Sequence, residues 1–150
     1  MFHLFKMLQD IFQPNGYEEV PDWTDEDGCG LKTGGRKHLK LVDLSDVKYL
    51  IVSLQRLLKV NDQLKIDRTS VPVGISATIR DQKKRWEMFI PVAVIQHQGF
   101  VTGGESRGHY QADVSEDFKW YRYSDDSEPQ PIVNPTDQGY IYLLKKNLTM

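Results

Sequence analysis

The chain has 150 residues, of which 39% are apolar and 27% charged, with a net charge of −2 and a pI of about 6.1. This length fits one domain with a real hydrophobic core, and the composition is that of an ordinary globular protein. Its Lys and Arg residues are scattered, with only Lys83-Lys84-Arg85 clustered, so the basic face that nucleic-acid binding needs is lacking.

Cys29 is the single cysteine, which excludes an internal disulfide and a multi-cysteine zinc site and fits a reducing compartment. The N-terminal run Met1-Phe2-His3-Leu4-Phe5-Lys6 is too short and too quickly charged for a signal peptide. No apolar run reaches the length of a membrane span. The expectation is an intracellular chain, cytoplasmic or nuclear, with no membrane and no nucleic-acid partner.

In chain order, Leu4, Phe5, Leu8, Ile11 and Phe12 recur at helical spacing, and Pro14-Asn15-Gly16 ends that helix. Residues 17–38 are acidic and then Gly-rich, which reads as an irregular or hairpin region. From Lys37 onward the signal is β. Residues 48–58 alternate, with Leu50, Val52 and Leu54 on one side and Tyr49, Ile51 and Ser53 on the other. Further strands are expected at 64–71, 73–79, 86–96, 110–114, 119–123 and 140–145, separated by Asn61-Asp62, Pro72, Arg80-Asp81, Gly103-Gly104, 115–117 and the Pro-rich 128–135. Runs this short with no helical pattern between them predict an antiparallel sheet, and so an α+β fold with one short N-terminal helix.

Gly108-His109-Tyr110 is followed within one hairpin by Asp125-Asp126. A histidine on a strand with an acid close behind is the base-and-orienter part of a Cys-His-Asp site. The base needs a nucleophile within hydrogen-bond reach on one ring nitrogen and an orienting group on the other. Cys29 is a poor nucleophile by sequence. No basic residue adjoins it, and Asp22, Asp25, Glu26 and Asp27 precede it closely, which disfavours a thiolate. Asp25-Glu26-Asp27-Gly28 fails as a calcium loop, because Trp23 and Gly34 stand where carboxylates belong.

The order of motifs resembles the C-terminal, His/Asp-bearing half of a ubiquitin-specific protease, the papain-like deubiquitinase family. Leu50-Ile51-Val52-Ser53-Leu54-Gln55-Arg56-Leu57 matches that family's "L-I-x-L-x-R-F", and Lys65-Ile66 with Val71-Pro72 follows. Phe89-Ile90-Pro91-Val92-Ala93-Val94-Ile95-Gln96-His97-Gln98-Gly99, then Gly108-His109-Tyr110, match "Y-x-L-x-A-V-x-x-H-x-G" and "G-H-Y". Trp120-Tyr121-Arg122-Tyr123-Ser124-Asp125-Asp126 and Tyr140-Ile141-Tyr142-Leu143-Leu144 complete the set. Each piece alone is weak, and the ordered set is specific.

The resemblance implies a helix in 1–16, a degenerate finger region in 17–47 and a β palm in 48–147. It implies that His109 is the catalytic base and that His97, Gly99, Gly108 and Tyr110 contact the ubiquitin tail. It also implies that residues 103–107 form a loop over the cleft. The family's acid falls on Ser124, so either Asp125 takes the orienting role after a small shift or the site has decayed, with Ser124 at the replaced acid position. The family's nucleophile box, roughly "G-N-T-C-Y-x-N-S", has no counterpart here. Cys29 resembles a leftover finger cysteine without its zinc partners, so neither metal nor cofactor is implied.

Three readings follow. The chain is a ubiquitin-binding half-domain that is inactive alone, a pseudoenzyme. Alternatively it is an active thiol deubiquitinase, using Cys29 or a cysteine from a partner or parent chain. Or it is a scaffold that has borrowed the fold. A lone β half would expose the apolar face that normally meets the other half, which predicts a cysteine-bearing partner or self-association besides ubiquitin or a ubiquitin-like protein.

Overall fold

The computed structural model describes residues 4–11, 18–19, 23–24, 31–32, 36–37, 43–102 and 105–148. The Pro14-Asn15-Gly16 stop, Cys29 and Gly103-Gly104 lie outside them.

Helix α1 (Leu4–Ile11) turns Leu4, Phe5 and Leu8 inward. Its start is tied down by Leu4 N–H donating to Pro72 O at 3.2 Å, and Gln9 Nε2 donates to Thr78 O at 3.1 Å. Four two-residue strands follow: β1 (Glu18–Glu19), β2 (Trp23–Thr24), β3 (Leu31–Lys32) and β4 (Arg36–Lys37). β2 pairs antiparallel with β3, and β1 with β4, which is the hairpin expected of this region.

The main sheet is antiparallel. Its members are β5 (Tyr49–Ser53), β8 (Ala77–Arg80), β9 (Trp86–Thr102), β10 (Glu105–Glu116), β11 (Lys119–Tyr123), β12 (Gln130–Ile132) and β13 (Gly139–Lys146). Their order is β12-β11-β10-β9-β13-β5, with β8 also on β9. β8 and β10 follow one another along one edge of β9, while β13 lies along the other. A separate hairpin joins β6 (Leu57–Val60) to β7 (Gln63–Ile66) through Asn61 and Asp62, both at positive φ (50° and 60°), as a two-residue hairpin turn requires. Asp117 and Phe118 (50° and 64°) make the same kind of turn between β10 and β11. The α+β expectation therefore holds.

The alternation read in 48–58 is correct in phase. Leu50, Val52 and Leu54 pack on the core, while Ile51 is 74% exposed. It is wrong in extent, because the strand breaks at 54–56 where Arg56 turns inward. The expected strand over 64–71 stops at Ile66, β12 occupies part of the expected Pro-rich turn, and β9 runs six residues past its expected end. Glu105, Ser106 and Arg107, expected in a cleft loop, are instead paired in β10 with Thr102, Val101 and Phe100.

The core joins α1 to one face of the sheet through Leu4, Phe5, Leu8, Leu44, Ile79, Phe89, Val94, Tyr142 and Leu144. Arg56, 4% exposed, enters this region. Its guanidinium donates to four main-chain carbonyls: Gly139 (2.7 Å), Asp67 (3.1 Å), Thr69 (2.7 Å) and Asp137 (3.2 Å). A buried cation is tolerated when its donors are satisfied. Here it knits the 67–69 segment to the start of β13. Among the described residues, no buried side-chain nitrogen or oxygen lacks a partner, and no helix is long and apolar enough to cross a membrane.

Candidate functional site

Successive strand residues point to opposite faces, so the register of β9 against β10 sorts the candidate residues into two groups. Gly108 faces Gly99 and Tyr110 faces His97, which places these four on one side of the hairpin. His109 faces Gln98 and Gln111 faces Gln96, which places these on the other. Ser124 immediately follows β11, and the Ala112–Tyr123 pairing brings it beside Gln111.

His109 meets both downstream candidates through one ring nitrogen. Its Nε2 lies 2.8 Å from Ser124 Oγ and 3.5 Å from Asp125 Oδ2. Consecutive residues of a strand could not both reach that atom. Asp125 adopts φ 48° at the strand's end, and this left-handed turn folds its carboxylate back toward the imidazole. Aspartate is among the few residues that visit this conformation readily. Ser124 makes the closer contact. Asp125 is 75% exposed, and an ion pair of that length in solvent contributes under about 1 kcal/mol.

This arrangement separates two chemistries. In a Ser-His-Asp triad the serine and the acid engage different ring nitrogens. Here Ser124 and Asp125 share Nε2, so the geometry is that of an orienting group and not of a serine nucleophile. Among the described residues Nδ1 has no hydrogen-bond partner. The His109 side chain is 38% exposed.

Ser124 is also held from behind. Gln111 Nε2 donates to its Oγ at 3.2 Å, and Gln111 Oε1 accepts from Gln96 Nε2 at 3.2 Å. Gln96 Oε1 accepts from Thr136 Oγ1 at 3.0 Å, and Thr136 N–H donates to Asp113 Oδ2 at 2.7 Å. Asp113, fully buried, binds Arg122 through both oxygens at 2.8 and 3.0 Å. That bond holds the Arg122 guanidinium even above its ordinary range. Sequence reading missed this row. The signal was present: Gln96 and Gln98 interrupt the apolar positions of β9, and His109, Gln111 and Asp113 recur with period two.

The second group forms a groove on the other side. The His97 ring lies tilted, 48° and 4.7 Å from that of Tyr110, and meets Tyr140 edge-on at 5.8 Å. With Leu57, Arg107 and Gly108 they line a cavity of about 590 Å³. A second cavity of about 460 Å³ that also includes His97 is bordered by Arg68, Phe100 and Gln138, and Arg68 Nη2 donates to Gly99 O at 2.7 Å. The two glycines have an internal reason to be glycine. A Cβ on Gly99 would lie 2.5 Å from His97 Nδ1, and one on Gly108 would lie 2.5 Å from Gly99 Cα and 2.8 Å from His97 Cε1. The imidazole occupies the space their side chains would need.

Among the described residues no group of three or more His, Cys, Asp or Glu side chains is placed to hold a metal. Phe89 is fully buried, while Trp86 is 60% exposed and packs across strands against Arg80, whose guanidinium lies 5.4 Å from its ring.

Solved structures share this fold. The chain superposes on a chain of the yeast SAGA DUB module carrying an Sgf73 mutation with a TM-score of 0.72 at 16% identity, covering 99% of this chain and 34% of that one. The Ubp8/Sgf11/Sus1/Sgf73 module bound to ubiquitin aldehyde gives 0.69 at 16% identity with the same coverages. The module bound to monoubiquitin gives 0.68, again at 16% identity with those coverages. The likeness is one of fold, and the chain spans about a third of the length of the chains it matches. No protein-family model and no curated protein sequence matches the chain.

Proposed function

We propose that these residues are the His-bearing palm of a ubiquitin-specific-protease-like domain. They bind ubiquitin or a ubiquitin-like protein through its tail and do no chemistry without a supplied nucleophile. The observation that carries this reading is the one-sided engagement of His109: both orienting contacts are on Nε2, which leaves Nδ1 for a thiol. The fold likeness to structures solved with ubiquitin supports it. The groove of His97, Tyr110 and Tyr140 offers aromatic walls to an extended peptide, with the Arg68 and Arg107 cations beside it for a terminal carboxylate.

A second reading rests on the same free nitrogen. If a cysteine from a partner or parent chain reaches Nδ1, His109 takes its proton, the thiolate attacks the isopeptide carbonyl that ends the ubiquitin tail, and the C–N bond breaks as His109 returns the proton to the leaving amine; water then hydrolyses the thioester.

The test incubates the full chain, and its Cys29→Ala variant, with ubiquitin bearing a thiol-reactive group at its C-terminus. Intact mass and a binding titration are read together. No adduct with saturable ubiquitin binding is the expected result. An adduct abolished by Cys29→Ala would overturn the inactivity of the isolated chain, and absence of both adduct and binding would overturn the whole reading.

A further inference from the structure

We infer that the free edge of β5 pairs with the same edge of a second copy of this chain, antiparallel about a two-fold axis at Ile51. The inference is independent of the reading of His109 and of ubiquitin.

The register decides which main-chain groups of β5 are free. Lys146 N–H donates to Lys48 O and Leu54 N–H donates to Tyr140 O, both at 2.8 Å. The β5–β13 pairing runs between these two bonds without a shift, so Leu50 and Val52 are the bonded partners of Leu144 and Tyr142. Tyr49, Ile51 and Ser53 therefore turn their N–H and C=O groups away from β13. β5 ends the sheet, and among the described residues no strand lies on its far side. The side chains of the same three residues are exposed, Tyr49 by 51% and Ile51 by 74%.

An exposed strand edge is a template for another strand, and folded chains usually blunt it. The other ends of this sheet are blunted. β12 is three residues long, with Pro131 inside it and Pro129 and Pro135 close by. β8 is met by α1, whose Gln9 donates to Thr78 O. β5 has no proline, no bulge and no charge within its five residues.

The occupant follows from symmetry. Three outward-facing residues centred on Ile51 are a self-complementary set. With the axis at Ile51, Tyr49 meets Ser53 of the second copy and Ile51 meets its own counterpart, so every outward N–H and C=O of the three finds a partner. The side chains agree. Ile51 stands opposite Leu143 on β13, so the axis joins Leu143 and Ile51 of both copies into one apolar stripe across the merged sheet. The charges agree as well. Lys48 meets Leu54 of the second copy, which keeps the two Lys48 residues roughly 20 Å apart. Stable dimers bury about 1,200–2,000 Å² and a single five-residue edge buries less, so the association is weak and depends on concentration.

The experiment is sedimentation velocity on the full chain from about 10 µM to about 1 mM. The native chain passes from monomer toward dimer over that range. Ile51→Lys and Ile51→Glu each set like charges opposite one another at the axis and weaken association at least about tenfold. Both replace an exposed side chain, so their amide spectra stay dispersed. An equimolar mixture of the two variants sets opposite charges at the axis and recovers association. A native chain that stays monomeric throughout would overturn the inference and leave the edge to a strand of another protein. Association unchanged in either variant would place the contact elsewhere and overturn it too. A mixture no tighter than the single variants would overturn the two-fold at Ile51. Ubiquitin binding is read separately and bears on none of these outcomes.

Discussion

Ser124 Oγ lies 2.8 Å from His109 Nε2, at the point where the resemblance calls for a carboxylate. A hydroxyl can orient the imidazole but stabilises its cation less than a charge does. The hydroxyl reaches the imidazole at hydrogen-bond distance without supplying a carboxylate's charge.

Restoring the charge follows directly. In Ser124→Asp the added carboxylate stabilises the imidazolium relative to the neutral ring. An NMR titration of the ring reads this. A titration curve superposable on the native one would mean that the side chain at 124 does not face Nε2 in solution.

Arg56 is predicted to matter for stability more than its place in the sequence suggests. Arg56→Met leaves the carbonyls of Asp67, Thr69, Asp137 and Gly139 without their buried donor. The expected cost is about 2–4 kcal/mol in urea denaturation. Arg56→Lys recovers little of it, because one ammonium cannot match the planar fork.

Gly108→Ala forces a methyl against Gln98 O and Gly99 Cα. The β9–β10 hairpin must open locally, at a cost of about 1–3 kcal/mol. Amide shifts should centre on His97, Gly99 and Tyr110. If Gly108→Ala is neutral, the close approach of the two strands at this point is not real.

Acid should destabilise the fold in a narrow window. For Asp81, whose side chain is fully buried, burial raises the carboxyl, but the N–H groups of Arg85 and Leu44 and the Arg85 charge outweigh it, and the net is below 3.8. The Thr69 hydroxyl and N–H lower Asp67 as well. Lys83, with Ser45, holds Asp43 well below the usual carboxylate range. A folded-state value below the unfolded one stabilises at pH above the unfolded value, and that stabilisation is lost as pH falls through the folded value. Urea midpoints should thus be level between about pH 7 and 5 and decline below about pH 4. Asp67→Asn should lessen that decline, and an unaltered decline would remove Asp67 from the account.

Much of the sheet could be read directly. Tyr49 to Leu54 alternate cleanly because β5 buries one face only, and Lys119 to Tyr123 sit between turn residues that fix both ends. The helix face of Leu4, Phe5 and Leu8 was equally visible. Boundaries failed where a long-range contact overrode local pattern. Arg56 looks like one more strand residue until its four carbonyl partners, between 11 and 83 positions away, are known. Glu105 to Arg107 looked like a loop, because polar residues near two glycines resemble one, yet pairing with β9 continues through them.

The candidate site divides in the same way. His109 and its neighbours Ser124 and Asp125 were found by motif order. The grouping of His97, Gly99, Gly108 and Tyr110 came out of register that no single residue announces. Gln96, Gln111 and Thr136 were missed because glutamine and threonine carry no chemical signature. Their role exists only once β9, β10 and the segment before β13 are side by side.

The central claim is tail-dependent binding through the His97–Tyr110 groove. The most direct measurement is an NMR titration of the ¹⁵N-labelled full chain with ubiquitin, and in parallel with ubiquitin lacking its C-terminal tail residues. The account predicts saturable shifts at His97, Arg107, Tyr110 and Tyr140 with the intact protein and their loss with the shortened one. No shifts, or identical shifts with both, would contradict it.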